Sequence, residues 1–400
     1  MSLGHSSSIV RDGLVMYYDV SNTKKSFKGK PTTNLVVTIP YTITNYAYCT
    51  GPVAIVVKDA EGQMRTVNRY TVNTAAQVAR ARVVLPSTTT AVNYAFSCKI
   101  KYNGTTAGVT WYGPDASKGN PEGSNNTYTT NTASYTAIGN GWNFAKQEFS
   151  YATNPTSGGW MCYGPIGAAV GETFDVYEEQ FEVQTYATTY ANGVRSVSQS
   201  LYDLTGSTTV DVTSTAWDSD SNIIFNGSSS SYLVTPAASF NMYCLDMWFY
   251  NNNIIPGNDT AIGGPSTYQS LIAFNAGYPD GVNLGGWTGG MTNEAIHIWS
   301  SITAATNTRD AVAIGWHNVV FNWNGSSYDI WVDKVKATTY SYSGTTHAGL
   351  VSLSSAKVGR ANTSAYFFNG KIPVVKMYNR SLSDAEIGQN FNATRGRYGL

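Results

Sequence analysis

The sequence predicts an all-β protein of β-sandwich type that ends in one short helix. Three observations predict it. Only 12% of the residues are charged, while the chain holds 28 Tyr and 38 Gly among abundant Ser, Thr and Asn. Uncharged, Tyr-rich, β-branched text suits many short strands with hydrated outer faces. Short runs of alternating dressing recur between Gly-, Asn- and Ser-rich turns, and the Ala, Leu, Glu and Lys that long helices need are thin. A single helix-start signature stands near the carboxyl end.

Taken in order, the first element is a strand in Ile9 to Phe27. Val15, Tyr17 and Asp19 alternate there with Leu14, Met16 and Tyr18, between the turn signals Asp12-Gly13 and Ser21-Asn22. Lys28 to Asn34 reads as a polar joint. Strand-like runs follow at Val53 to Val57, Ala81 to Leu85, Tyr94 to Tyr102 and Phe174 to Val183, with Gly113 to Asn131 as loop and Ala191-Asn192-Gly193 as a closing turn. From Leu201 onward the strands are Ile223 to Phe225, Tyr243 to Tyr250, Ser270 to Phe274, Ala295 to Trp299, His317 to Trp323, Tyr328 to Val332 and Ile372 to Tyr378. Asn324-Gly325-Ser326-Ser327 reads as a hairpin turn. Ser383-Asp384-Ala385-Glu386 is a capping box, followed by Ile387 and Phe391 at i, i+4 spacing, with Gly396 as the stop. No heptad or fixed-period repeat supports a coiled coil or a solenoid.

Charge and targeting signals exclude several classes. Net charge is zero and the pI is near 6.9, so no basic excess is available for nucleic acid. Met1 to Ser8 lacks a basic and then apolar pattern, so it reads as an arm and not a signal peptide. No apolar run is long enough to insert in a membrane. Cys49, Cys98, Cys162 and Cys244 form no CxxC pair and read as buried free thiols.

Particular motifs carry a resemblance. Gly315-Trp316-His317-Asn318-Val319-Val320-Phe321, Tyr328-Asp329-Ile330-Trp331-Val332-Asp333, Val358-Gly359-Arg360, Phe368-Asn369-Gly370-Lys371-Ile372 and Tyr378-Asn379-Arg380-Ser381-Leu382-Ser383 resemble the laminin-G-like, concanavalin A-like lectin/glucanase domain. The opening Asp12-Gly13-Leu14-Val15-Met16-Tyr17-Tyr18-Asp19 looks like the first strand of the same family. Its continuation, Leu201-Tyr202-Asp203-Leu204-Thr205-Gly206, stands far downstream. The interval resembles a carbohydrate-binding-module-like jelly roll, closing on Tyr177-Glu178-Glu179-Gln180-Phe181-Glu182 and Gly193-Val194-Arg195-Ser196.

These resemblances imply two β-sandwich (jelly-roll) domains, one inserted into the other. Residues 1–8 are an arm, 9–28 plus 201–400 the host sandwich, and 33–197 the insert. They point to tailed-phage virion proteins such as a tail fibre, whisker or capsid decoration. The expectation is therefore a structural virion component that contributes to host-surface glycan adhesion, partnered by other virion proteins and by copies of itself, made without a signal peptide and located on the virion.

The fold also invites an alternative, a glycan-degrading depolymerase of the glucanase type. Such enzymes need two carboxylates across the scissile bond. The glucanases carry them in an alternating acidic cluster of the E-x-D-x-x-E kind, which 201–400 lacks. The nearest acidic run, Asp175 to Glu182, reads as a solvated strand face, and His317 as a satisfied sheet histidine. Hence no catalytic residue is assigned and no enzyme is expected. No cofactor is expected either, with a structural calcium left open. Asp218-Ser219-Asp220 and Asn258-Asp259 suit calcium and turns equally, and Asn226-Gly227 to Tyr232 lacks the acids of the family's Asp-Gly-x-x-Asp-Tyr. For glycan binding, flat rings beside polar groups in loop-like text single out Tyr278, Asp280 and Trp287, then Trp111 and Trp160. Such rings also pack loops and subunit interfaces.

Overall fold

The structure, a computed structural model, describes residues 8–35, 43–46, 48–74, 80–84, 93–117, 134–150, 160–192, 194–207, 210–217, 223–235, 239–252, 269–274, 281–284, 296–300, 304–308, 312–341, 351–361 and 366–400. The fold is all-β, of β-sandwich type. The chain divides into two compact units, Met1–Gly29 with Val197–Leu400, and Lys30–Ser196.

The first unit is two packed sheets. The back sheet runs Ala216–Trp217, Ile223–Asn226, Asn369–Tyr378, Cys244–Asn251, Gly315–Trp323, Tyr328–Val332, Val335–Lys336. Leu14–Asp19 pairs antiparallel with Asn369–Tyr378, Tyr18 opposite Val375, on the edge that Ile223–Asn226 also uses. Alternation sorts these side chains. Leu245, Met247, Phe249, Phe321 and Met377 enter the core between the sheets, while Cys244, Asp246 and Trp248 face outward.

That outer face is covered by the C-terminal helix, Asp384–Thr394. Its Ser383 cap accepts from the Glu386 amide, and Glu386 Oε2 accepts in return from the Ser383 amide at 2.8 Å. Ile387 packs on Cys244, Val320 and Tyr378, and Phe391 stacks on Trp248 at 5.5 Å. Each buried side chain contributes about 2 kcal/mol. Beneath the helix Lys376 Nζ meets Asp246 Oδ2 at 2.7 Å with both side chains buried, and Asn318 donates to the other Asp246 oxygen.

The front sheet runs Asp211–Ser214, Tyr232–Thr235, Ala356–Val358, Gln269–Phe274, Gly281–Leu284, Ile296–Ser300, Ala304–Thr308, Thr339–Ser341. Ile272, Phe274, Val282, Leu284, Ile296 and Ile298 supply its core side. A bulge between Ser270 and Ile272 brings the next strand close. At Gly281 (φ +152) a Cβ would lie 2.1 Å from the Ile272 carbonyl oxygen, so only glycine fits there.

The second unit has a six-stranded sheet, Cys49–Lys58, Met64–Val72, Thr173–Glu182, Asn93–Tyr102, Trp142–Ser150, Ser134–Gly139, and a four-stranded one, Ile43–Tyr46, Arg80–Val84, Trp160–Ile166, Thr110–Ser117. Aromatic pairs fill its core: Tyr70 on Phe174 at 5.0 Å, Tyr94 on Phe181 at 5.1 Å, Phe96 on Tyr163 at 6.1 Å. Its two ends meet, Thr32–Thr33 pairing with Val194–Arg195. In the first unit Phe27 bridges Leu201, and the Lys28 amide donates to the Ser200 carbonyl at 2.8 Å.

Two expectations are corrected here. Part of the Gly113–Asn131 loop text is strand, since Thr110–Ser117 pairs with Trp160–Ile166 despite Gly113 and Pro114. The acidic run Asp175 to Glu182 is not a solvated face. Its strand is central, between Met64–Val72 and Asn93–Tyr102, so Asp175, Glu179 and Glu182 are buried. Partners compensate each one. Asp175 takes both arms of Arg69 at 2.6 and 2.7 Å, and Glu182 accepts from Thr32 and Thr188, both at 2.7 Å. Cys49, Cys98 and Cys244 are buried, in accord with the sequence, and Cys98 and Cys244 keep free thiols among the described residues.

Candidate functional site

On the front sheet, alternation turns Asn283 away from the core that Val282 and Leu284 enter. Ser270 is directly opposite Asn283 in register and shares that outer face. Both side chains are nonetheless buried, at 1% and 2% exposure. Ser270 Oγ and Asn283 Nδ2 have no hydrogen-bond partner among the described residues. A buried polar atom left without a partner costs about 1–3 kcal/mol. Ligands commonly meet such groups.

The register continues this row across the sheet. His297 is opposite Asn283, Asn307 opposite His297, and Tyr340 opposite Asn307. A second row sets Lys357 opposite Ala273, and Ala273 opposite Gly281. Beside Ser270, the Arg360 guanidinium lies 4.7 Å from the Tyr232 ring centre and 5.6 Å from that of Phe367. The Asn283 amide and Ser270 hydroxyl thus share a sheet with the Arg360 guanidinium and the Tyr232 and Phe367 rings. This is the inventory that a hydroxyl-rich, partly apolar ligand requires.

Of the residues singled out by sequence, Tyr278, Asp280 and Trp287 lie outside the described residues. In the chain they flank the strand Gly281–Leu284 that carries Asn283. Asp218, Asp220, Asn258 and Asp259 also lie outside the described residues. Trp111 is half-buried in the second unit, stacked on Tyr135 at 6.0 Å and edge-on to Tyr102 at 6.5 Å. Tyr102 is anchored by Glu172, whose carboxyl is held at about 2 by that phenol and by the Ala169, Thr105 and Thr106 amides. Trp160 is on the neighbouring strand, opposite Ser117, while Trp111 is opposite Pro165. Five residues of strand, about 17 Å, separate the two positions, so they make no shared platform. Ser270 and Asn283 escaped the sequence reading, because a lone Ser or Asn on a strand carries no motif.

Several other titratable groups are tied up. His317 Nδ1 meets Asp333 Oδ2 at 2.8 Å, and its Nε2 meets the Ala313 carbonyl at 3.1 Å. Burial disfavours the imidazolium, yet Asp333 and Ala313 outweigh it and raise the His317 pKa. Burial likewise pushes the Glu179 carboxyl up, against hydrogen bonds from Tyr163 and Asn68. Glu178, at the bulge in its strand, pairs with Arg65 at 2.6 Å and Lys99 at 2.9 Å. Among the described residues no group of three or more His, Cys, Asp or Glu is placed to hold a metal ion, and no helix is long and apolar enough to cross a membrane.

No curated protein matches the chain. Among solved structures it is similar to Trypanosoma rangeli sialidase bound to the inhibitor DANA, at 16% identity and TM-score 0.34, covering 47% of this chain and 30% of that one. It is similar to domain 4 of AbnA, a GH43 extracellular arabinanase from Geobacillus stearothermophilus, at 15% identity and TM-score 0.34, covering 50% and 93%. The botulinum neurotoxin serotype G binding domain is matched at 13% identity and TM-score 0.33, covering 48% of each chain. The chain thus spans under a third of the length of the sialidase.

Residues 226–388 match the family model Laminin_G_3, described as the Concanavalin A-like lectin/glucanases superfamily. This corrects the expectation that the protein is not an enzyme, since the matched superfamily takes in glucanases as well as lectins. The physical reason is that one sandwich scaffold serves both chemistries, and a missing acidic motif excludes only one placement of carboxylates. Residues 226–388 thus resemble the concanavalin A-like lectin/glucanase superfamily, and Ser270 and Asn283 lie inside the matched stretch.

Proposed function

We propose that the first unit binds carbohydrate on the outer face of its front sheet. The observation that carries this reading is the Ser270–Asn283 pair, buried on that face without hydrogen-bond partners among the described residues, within the stretch that matches the concanavalin A-like model. Sugar hydroxyls would complete those hydrogen bonds, while rings from the flanking segments, Tyr278 and Trp287, take the apolar faces of the sugar. Asp280 would accept from hydroxyls. A glycan array probed with the multimerised protein, beside Trp287→Ala, tests it. Binding to a restricted set of glycans that weakens at least tenfold in the variant is the expected result. A blank array would refute the reading.

A second reading is glycan hydrolysis, favoured by the superfamily's glucanases. Reducing-sugar release from a polysaccharide panel, lost in Asp280→Asn, would support it. The finer role, a virion component seated among virion proteins and copies of itself, is a proposal that rests on the sequence resemblance alone. Immunogold labelling of purified particles tests it.

A further inference from the structure

In the first unit the opening segment, residues 201–207 and the C-terminal helix line a half-open cavity of about 630 Å³. That volume falls in the range of small-molecule sites, roughly 300–1,000 Å³. Arg11, Lys25 and Arg397 line it, and no Asp or Glu does. Leu14 and Leu204 give it an apolar wall, with Tyr17 between.

The nearby carboxylates are already committed. Asp19, fully buried, takes Arg397 Nη1 at 2.6 Å, the Tyr17 hydroxyl at 3.1 Å and the Ser21 amide at 3.0 Å. Asp203, also buried, takes the Tyr17 amide at 2.8 Å, the Thr205 hydroxyl at 2.6 Å and the Ser207 amide at 3.1 Å. Arg11 and Lys25, both exposed, have no ion-pair partner among the described residues, and the Arg397 side chain keeps 45% of its surface exposed. Two cations without an ion-pair partner among the described residues, and a third already paired with Asp19, thus line one cavity in a chain whose net charge is zero. Their mutual repulsion falls when an anion enters, and guanidinium forks match a carboxylate.

We infer that this cavity is a second ligand site, for a carboxylated sugar. Arg11, Lys25 and Arg397 hold the carboxylate, and the ring rests on Leu14 and Leu204. The anionic head follows from the cavity itself. That the rest is a sugar depends on the carbohydrate reading above. Leu14 and Tyr17 belong to the strand paired on the back sheet, so the site is distinct from Ser270 and Asn283 of the front sheet.

The test is calorimetric titration of the full chain at low salt and pH 7 with glucuronate, glucose and sodium sulfate. Glucuronate is expected to bind at least tenfold more tightly than glucose. It should lose at least tenfold in the double variant Arg11→Gln/Lys25→Gln, whose side chains are exposed and make no hydrogen bond or ion pair among the described residues. Val335→Ser, at an exposed side chain outside both sites, should leave glucuronate binding unchanged. Equal binding of glucose and glucuronate, or an unaffected double variant, would overturn the site. Sulfate binding as tightly as glucuronate would replace the sugar acid with an inorganic anion. Loss in Asn283→Ala alone would move the signal to the front sheet. If neutral glycans fail everywhere while glucuronate binding depends on Arg11 and Lys25, the front-face reading falls and this site stands.

Discussion

Lys376 and Asp246 show how single residues fix the back sheet. Each is buried beneath the C-terminal helix, so each needs the other. Lys376→Met should leave an uncompensated buried charge and lose about 3–5 kcal/mol in denaturant unfolding. Substituting both by apolar residues of similar volume should recover most of that loss. The His317–Asp333 contact has a pH signature. Because the folded His317 pKa is raised, its contribution is fully present below the unfolded value, about 6.5. It disappears as pH rises through the folded value. Asp333→Asn should therefore lose about 1 kcal/mol more at pH 5.5 than at pH 9, read from paired unfolding curves. His317 itself was legible, since the strand motif around it implied a satisfied ring. The burial of Asp175, Glu179 and Glu182 was not, because whether a strand is central or exposed depends on neighbours far away in the chain.

At the scale of elements, alternation and capping carried the sequence reading well. The capping box at Ser383 and Glu386 starts the helix where expected, and the opening strand pairs with Asn369–Tyr378, over 350 residues downstream. Strands such as Met64–Val72 and Trp142–Ser150 went unread, because their mixed Arg, Asn, Lys and Gln hide the alternation that packing later reveals. The loop text from Gly113 onward begins inside the strand Thr110–Ser117, because Gly113 and Pro114 read as loop while strand edges tolerate them. Gly281 marks the tightest strand contact of the front sheet. Gly281→Ala should cost about 2–3 kcal/mol, from a strained backbone and a Cβ against the Ile272 carbonyl. Calorimetric melting would show it as a lowered Tm, and an unchanged Tm would mean the two strands are further apart.

For the whole molecule, the resemblance named the sandwich, and the family model now covers residues 226–388. The candidate site was only partly legible. Sequence points to rings on the segments flanking Gly281–Leu284, whereas the Ser270–Asn283 row needs the register of two strands. We propose also that the two units are separate domains, one inserted in the other. Replacing residues 30–196 by a short Gly-Ser linker should leave a cooperative unfolding transition, since Lys28 and Ser200 are hydrogen-bonded neighbours. The central claim, carbohydrate on the front sheet, is tested most directly by titrating one neutral oligosaccharide into wild type and Asn283→Ala. The account predicts an affinity at least tenfold weaker in the variant, with its melting temperature preserved or raised. Equal affinities in the two proteins would contradict it.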